Sequence, residues 1–197
     1  MLKILGGHLR SRQLKTPKND DVTRPWTGRA RESVFNQLRG HIQGGNILDL
    51  FAGVGTMGLE AVSRGAEHVV MVEQDRKIFG LLEENVASLQ CGDTAYPIQC
   101  DALSTIPLLR AQAPLDVVFV DPPYVMMKND ASRQRVLNQL NEVESILADD
   151  GFVLLRSPIN PELTEHKVDG LVGPEIHKEG QGMWILFYGK PPRDVEP

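Results

Sequence analysis

"NILDLFAGVGTMG", residues 46–58, runs from an apolar strand through closely spaced glycines towards a helix. Gly53 and Gly55 let the backbone turn tightly beside a ligand, and Gly58 lets the following helix approach the sheet closely. Asp49 sits inside the strand, two residues before Phe51. A carboxylate there disfavours a bound pyrophosphate. It tolerates a ligand that carries an amine or sulfonium cation.

Outward from this stretch, strand and helix alternate. "TMGLEAVSRG" (56–65) reads as a short helix stopped by Gly65, and "HVVMVEQD" (68–75) as a second buried strand. "RKIFGLLEENVASLQ" (76–90) places Ile78, Leu81, Leu82, Asn85, Val86 and Leu89 on one helical face. "AYPIQCDA" is a weaker third strand, "LSTIPLLRAQ" a short helix and "LDVVFVDPPY" a fourth strand. "RQRVLNQLNEVESILADDG" (133–151) predicts a helix with Val136, Leu140, Val143 and Leu147 in register, and "FVLLRS" (152–157) a fifth strand. "EIHKEGQGMWILFYG" (175–189) gives two strands around a glycine-rich turn. The expected fold is α/β, a doubly wound, mostly parallel seven-stranded sheet with its last strand antiparallel.

Ahead of the alternation, "ILGGHLRSRQLK" (4–15) predicts a small β-hairpin. Thr27 predicts an N-cap, with Ala30, Val34, Phe35 and Leu38 at helical spacing over 28–39 and Gly40 closing the helix. The organisation expected is a basic extension (1–40), a catalytic domain (41–190) and a tail (191–197).

Charge is polarised. Residues 1–40 hold nine basic residues (Lys3, Arg10, Arg12, Lys15, Lys18, Arg24, Arg29, Arg31, Arg39) against Asp20, Asp21 and Glu32. That net +6 leaves −11 on the rest of a chain whose total is −5. A basic arm on an acidic body suits phosphate contact, although a solvated basic face fits the charge alone equally well. Two cysteines, Cys91 and Cys100, are too few for a disulfide framework and fit a reducing compartment. The five histidines show no metal-ligand spacing. No apolar run reaches the roughly 20 residues of a membrane span, and no secretory signal is visible. A cytoplasmic protein without a metal is expected.

In such a fold ligands lie at the carboxyl ends of the strands. Four strand ends carry acids: Asp49, Glu73, Asp101 and Asp121. Glu73 follows Asp49 by 24 residues, where an acid grips ribose hydroxyls. Asp101 could accept from an adenine amino group. In "DPPY" (121–124) the prolines carry no N–H, so Asp121 and a proline carbonyl can together accept both protons of a planar amine. Tyr124 offers a ring on which an extruded base stacks.

"DLFAGVGTMGLEA" with "VEQD", "CDA" and "DPPY" resembles class I S-adenosylmethionine-dependent methyltransferases that modify amines. "ILGGHLRSRQLKTP" and "TRPWTGRARESVFNQL" narrow the resemblance to the RsmD family of bacterial 16S ribosomal RNA guanine-N2 methyltransferases. The resemblance implies a cofactor site of Asp49, Phe51, Gly53, Gly55, Glu73, Gln74, Asp101 and Ala102 for S-adenosylmethionine. It implies a target-amine site of Asp121, Pro122, Pro123 and Tyr124. Arg10, Arg12, Arg24, Thr27, Arg29 and Arg31 would contact ribosomal RNA, free or in the small-subunit particle, and the enzyme would act as a monomer. Three other readings stay open: an amino-methyltransferase for adenine or cytosine, a nicotinamide-dependent oxidoreductase using the same glycine loop, and a non-catalytic RNA-binding module.

Overall fold

Ile47 of β1 (Asn46–Leu50) faces one core, and Leu48 and Leu50 face another. The computed structural model, which describes residues 2–17, 26–180 and 182–192, repeats this alternation in the neighbouring strands. In β2 (His68–Glu73) and β4 (Leu115–Val120), Val69, Met71, Val117 and Phe119 join the first core, and Val70, Val72, Val118 and Val120 the second. A strand buried on both faces must be apolar throughout, hence the unbroken hydrophobic runs. The first core is closed by α1 (Gly28–Gln37), α2 (Arg39–Ile42), α3 (Gly58–Ser63) and α4 (Arg76–Leu89), through Val34, Phe35, Ile42, Leu59, Leu82 and Val86. The second is closed by α5 (Ile106–Arg110), α6 (Tyr124–Lys128) and α7 (Asp130–Glu144), chiefly through Met127, Val136, Leu140 and Val143.

With β3 (Ala95–Gln99), β5 (Leu147–Ser157), β6 (Val172–Lys178) and β7 (Trp184–Gly189), the sheet has seven strands in the order β3-β2-β1-β4-β5-β7-β6. The first five pair in parallel. β7 runs antiparallel to both β5 and β6 and lies between them. The doubly wound, mostly parallel sheet is as expected. The chain winds out from β1 to β3 and returns to β4 on the other side of β1, so the β1–β4 boundary is the topological switch point.

Three local expectations change. Gly40 does not end the first helix. α1 stops at Gln37 and a further helical turn, α2, runs through Gly40 to bury Ile42. Leu147 belongs to β5, not to the preceding helix, because it pairs with Leu115 at the start of β4. The N-terminal hairpin is reduced to a loop with a single antiparallel bridge, Lys3 to Gln13.

That loop is held by buried polar side chains rather than by a ladder. The Glu60 carboxylate, fully buried on α3, accepts from Leu5 N (2.8 Å), Gly6 N (2.8 Å) and Arg64 Nε (2.8 Å). Asn85 on α4 accepts from Lys15 N (2.8 Å) and donates to the carbonyls of Lys15 (3.1 Å) and Val54 (3.0 Å). It thus ties the arm to the glycine loop. Ile4, Leu9 and Leu14 sink into the first core beneath these anchors. Glu60→Ala leaves two backbone N–H groups and the Arg64 Nε–H without their acceptor, and the buried Arg31 without its nearby carboxylate. It should cost roughly 3 kcal/mol in denaturant unfolding. Faster amide exchange at Leu5 and Gly6 would localise the loss to the arm.

Candidate active site

The carboxyl ends of β1 to β4 converge. At the end of β1, Phe51 takes φ 66°, unusual for a side chain of that size, and Gly53 and Gly55 take φ 58° and 90°. Gly53 faces open space, since a Cβ built there meets nothing within 4 Å. Gly55 instead faces Leu59 and Leu82, each 2.7 Å from such a Cβ, so it serves the packing of the turn. At Gly58 a Cβ would lie 2.6 Å from Met71 of β2, and helix α3 reaches the sheet only because none is there.

Three acids organise this rim. Asp49 is 1% exposed, and its Oδ2 accepts from Gly58 N at 2.8 Å. Burial, only partly offset by that bond, pushes its pKa up to about 8. The fixed negative charge expected beneath the loop is therefore largely neutralised by a proton near neutral pH. Glu73 spans two strand ends: Oε2 accepts from Gly53 N (3.1 Å) and Oε1 from Asp75 N (2.7 Å). Burial raises its pKa, against the pull of these backbone donors. Gln74 beside it is exposed. Asp101, after β3, is exposed and accepts from Leu103 N (2.9 Å) through Oδ1. The Ala102 side chain is buried in the second core.

At the switch point Asp121 N donates to Leu50 O (3.3 Å), which fastens the β4 end to the β1 end. Asp121 Oδ1 accepts from Arg156 Nε (2.6 Å) and Oδ2 from Trp26 Nε1 (2.9 Å). Burial raises the Asp121 pKa, and the Arg156 charge and both donors oppose the rise. The Arg156 guanidinium lies 5.0 Å from the Trp26 ring centroid and 5.3 Å from that of Tyr124. Pro122 is buried, and among the described residues no donor reaches its carbonyl. The Pro123 carbonyl accepts from Met126 N (2.8 Å), because α6 starts at Tyr124. The corner thus passes into a helix at once.

The residues assigned to RNA divide. Arg10, Arg12 and Arg29 are exposed, Arg12 with one bond to Ser88 O (2.8 Å). Thr27 is exposed and caps α1, accepting from Ala30 N at 3.1 Å. Arg24 lies outside the described residues. Arg31 must be withdrawn as an RNA contact. It is 3% exposed, donates to Lys3 O (3.0 Å) and stands 3.6 Å from Glu60. Sequence reasoning missed Arg156 and Trp26. A lone arginine at the end of the apolar run "FVLLRS" was the available signal for Arg156.

A parallel sheet with a glycine turn after β1, a bridging acid after β2 and DPPY at the switch point defines a Rossmann-like methyltransferase. A family model described as Conserved hypothetical protein 95 matches residues 2–187. The ribosomal RNA small subunit methyltransferase D of Escherichia coli strain K12 is 34% identical over 191 residues, 92% of either chain. The solved E. coli protein yhhF superimposes with TM-score 0.79 at 31% identity, covering 98% of this chain and 99% of its own. A hypothetical protein of Thermus thermophilus superimposes with TM-score 0.75 at 28% identity, covering 97% of this chain and 100% of its own. The chain belongs to the family of these proteins, the RsmD family.

Proposed function

We propose that this methyltransferase uses S-adenosylmethionine to methylate the exocyclic N2 amine of a guanine in 16S ribosomal RNA. The observation that carries the reading is the Asp121 carboxylate followed, at the switch point, by a Pro122 carbonyl that no donor among the described residues reaches. Two acceptors side by side suit the two protons of a planar amine. The name of the E. coli relative supports ribosomal RNA of the small subunit as the substrate. The exposed Arg10, Arg12 and Arg29 supply phosphate contacts. The reduced thiols Cys91 and Cys100 fit work in the cytoplasm, where a monomer would suffice for the chemistry.

The residues present fit the cofactor. Glu73 bridges two strand ends with acceptors suited to ribose hydroxyls, and the Gly53 side of the turn is open. Asp49 lies beneath the turn for the amine of the methionine part, and Asp101 with the Ala102 backbone suits adenine. When bound, S-adenosylmethionine supplies an electrophilic methyl on a sulfonium centre. The protein's own task is alignment. Accepting bonds from Asp121 and Pro122 orient the target nitrogen and favour its lone pair over delocalisation into the ring. The Asp121 charge stabilises the positive charge that develops on that nitrogen. The Tyr124 ring steadies the extruded base.

Incubating purified protein with methyl-labelled S-adenosylmethionine and unmethylated small-subunit particles, then digesting the RNA to nucleosides, tests this. N2-methylguanosine is expected. Label in N6-methyladenosine or N4-methylcytidine would move the assignment to another base, and no label would end it.

A further inference from the structure

Both oxygens of the Asp121 carboxylate, read above as an acceptor of the target amine, already have donors. Trp26 Nε1–H reaches Asp121 Oδ2 at 2.9 Å, while Arg156 Nε–H holds Oδ1 at 2.6 Å. The two donors are anchored differently. Arg156 is part of β5, whose Leu155 pairs with Val120 immediately before the DPPY corner. Trp26 belongs to the arm and lies just outside the first turn of α1, where no ladder or helix fixes its backbone. Its indole is nevertheless 6% exposed, lodged against the Arg156 guanidinium.

We propose that the Trp26 indole N–H is a stand-in for the target amine: it satisfies Asp121 Oδ2 in the free enzyme and is displaced by the base, while Arg156 keeps Oδ1. This rests on the reading of Asp121 as the acceptor of the amine. The physical ground is the cost of a buried carboxylate oxygen left without a donor. The free enzyme avoids that cost with the indole. A base that brings its own N–H replaces one bond by another and releases the arm. A base with no donor at that edge displaces the indole and leaves the oxygen bare, so the exchange also selects for an amine. Arg156, held between the Trp26 and Tyr124 rings, is the positioning residue that fixes which carboxylate oxygen is exchanged.

Trp26→Phe keeps a ring over Arg156 and removes the N–H. Steady-state methylation of small-subunit particles from a strain lacking the enzyme should show KM for the particle falling roughly ten- to hundredfold, the scale of one hydrogen bond to a charged group. The melting temperature should fall at the same time. A tryptophan that only packs would lower the melting temperature with KM unchanged or raised, and that result overturns the proposal. Should the variant not fold, the full chain carrying Trp184→Phe and 5-hydroxytryptophan at Trp26 can be excited selectively in the presence of particles. Emission shifting to longer wavelength on adding particles supports displacement. Unchanged emission with particles that are methylated overturns the displacement and leaves the function standing. Particles that the unaltered enzyme never methylates remove the reading on which it rests.

Discussion

Asp121→Ala should reduce methyl transfer roughly 10³-fold while cofactor affinity stays within about twofold of the parent, the size expected for loss of one preorganised charge at the reacting centre. In the proposed reading the carboxylate acts at the target nitrogen, and the cofactor lies instead against Glu73 and the Gly53 turn. Its loss therefore falls on turnover. The substitution also leaves the guanidinium of Arg156, itself 3% exposed, without the carboxylate beside it, so some loss of stability accompanies it. Asp121→Asn separates the two effects. An amide retains an acceptor and the side-chain shape but not the charge, so it should transfer methyl faster than alanine and slower than aspartate. Single-turnover transfer, with calorimetry of cofactor binding in parallel, is the measurement. Normal transfer by a folded Asp121→Ala protein would refute the role.

Asp49→Asn should act on stability and on cofactor binding with opposite signs. In the folded protein burial raises the Asp49 pKa from the ordinary 3.8 to about 8. The folded state therefore binds a proton that the unfolded chain has lost, and stability declines as pH rises between those two values. Asparagine removes the titration. The variant and the parent should melt alike near about pH 4, and the variant should gain as pH rises to about 8, where the gap levels off. At about 1.4 kcal/mol per pKa unit the shift sets a ceiling of about 6 kcal/mol, and relaxation of the site reduces this to roughly 2–3 kcal/mol. For a chain of this size that corresponds to roughly 5–10 °C in melting temperature at the alkaline end. Cofactor affinity should fall at least roughly tenfold, because an amide cannot become the anion that a cationic amine draws out of Asp49. Melting curves across this pH range, with binding isotherms, check both halves. A variant less stable than the parent at about pH 8 would contradict the burial account.

The sequence made the sheet legible where burial acts on both faces of a strand. β1, β2 and β4 are continuous apolar runs for that reason, and Asp49, Glu73 and Asp121 stand at or near their carboxyl ends. Legibility failed where one spacing served two structures. Leu147 follows Val143 at a helical interval, yet pairs with Leu115 as the first residue of β5. It failed again where the deciding partner is distant in sequence. Arg31 reads as one more basic residue of the arm until Glu60, brought in by α3, draws it into the interior. The same holds for Asp121, whose neighbours Trp26 and Arg156 come from opposite ends of the chain and meet only across the finished sheet.

The central claim is that this constellation methylates one guanine amine of the small-subunit RNA. Mass mapping of 16S RNA from cells with the gene deleted tests it most directly. One fragment lighter by a single methyl at a guanine is expected, restored by the intact gene and not by the gene carrying Asp121→Ala. A fully methylated guanine set in the deletion strain would contradict it.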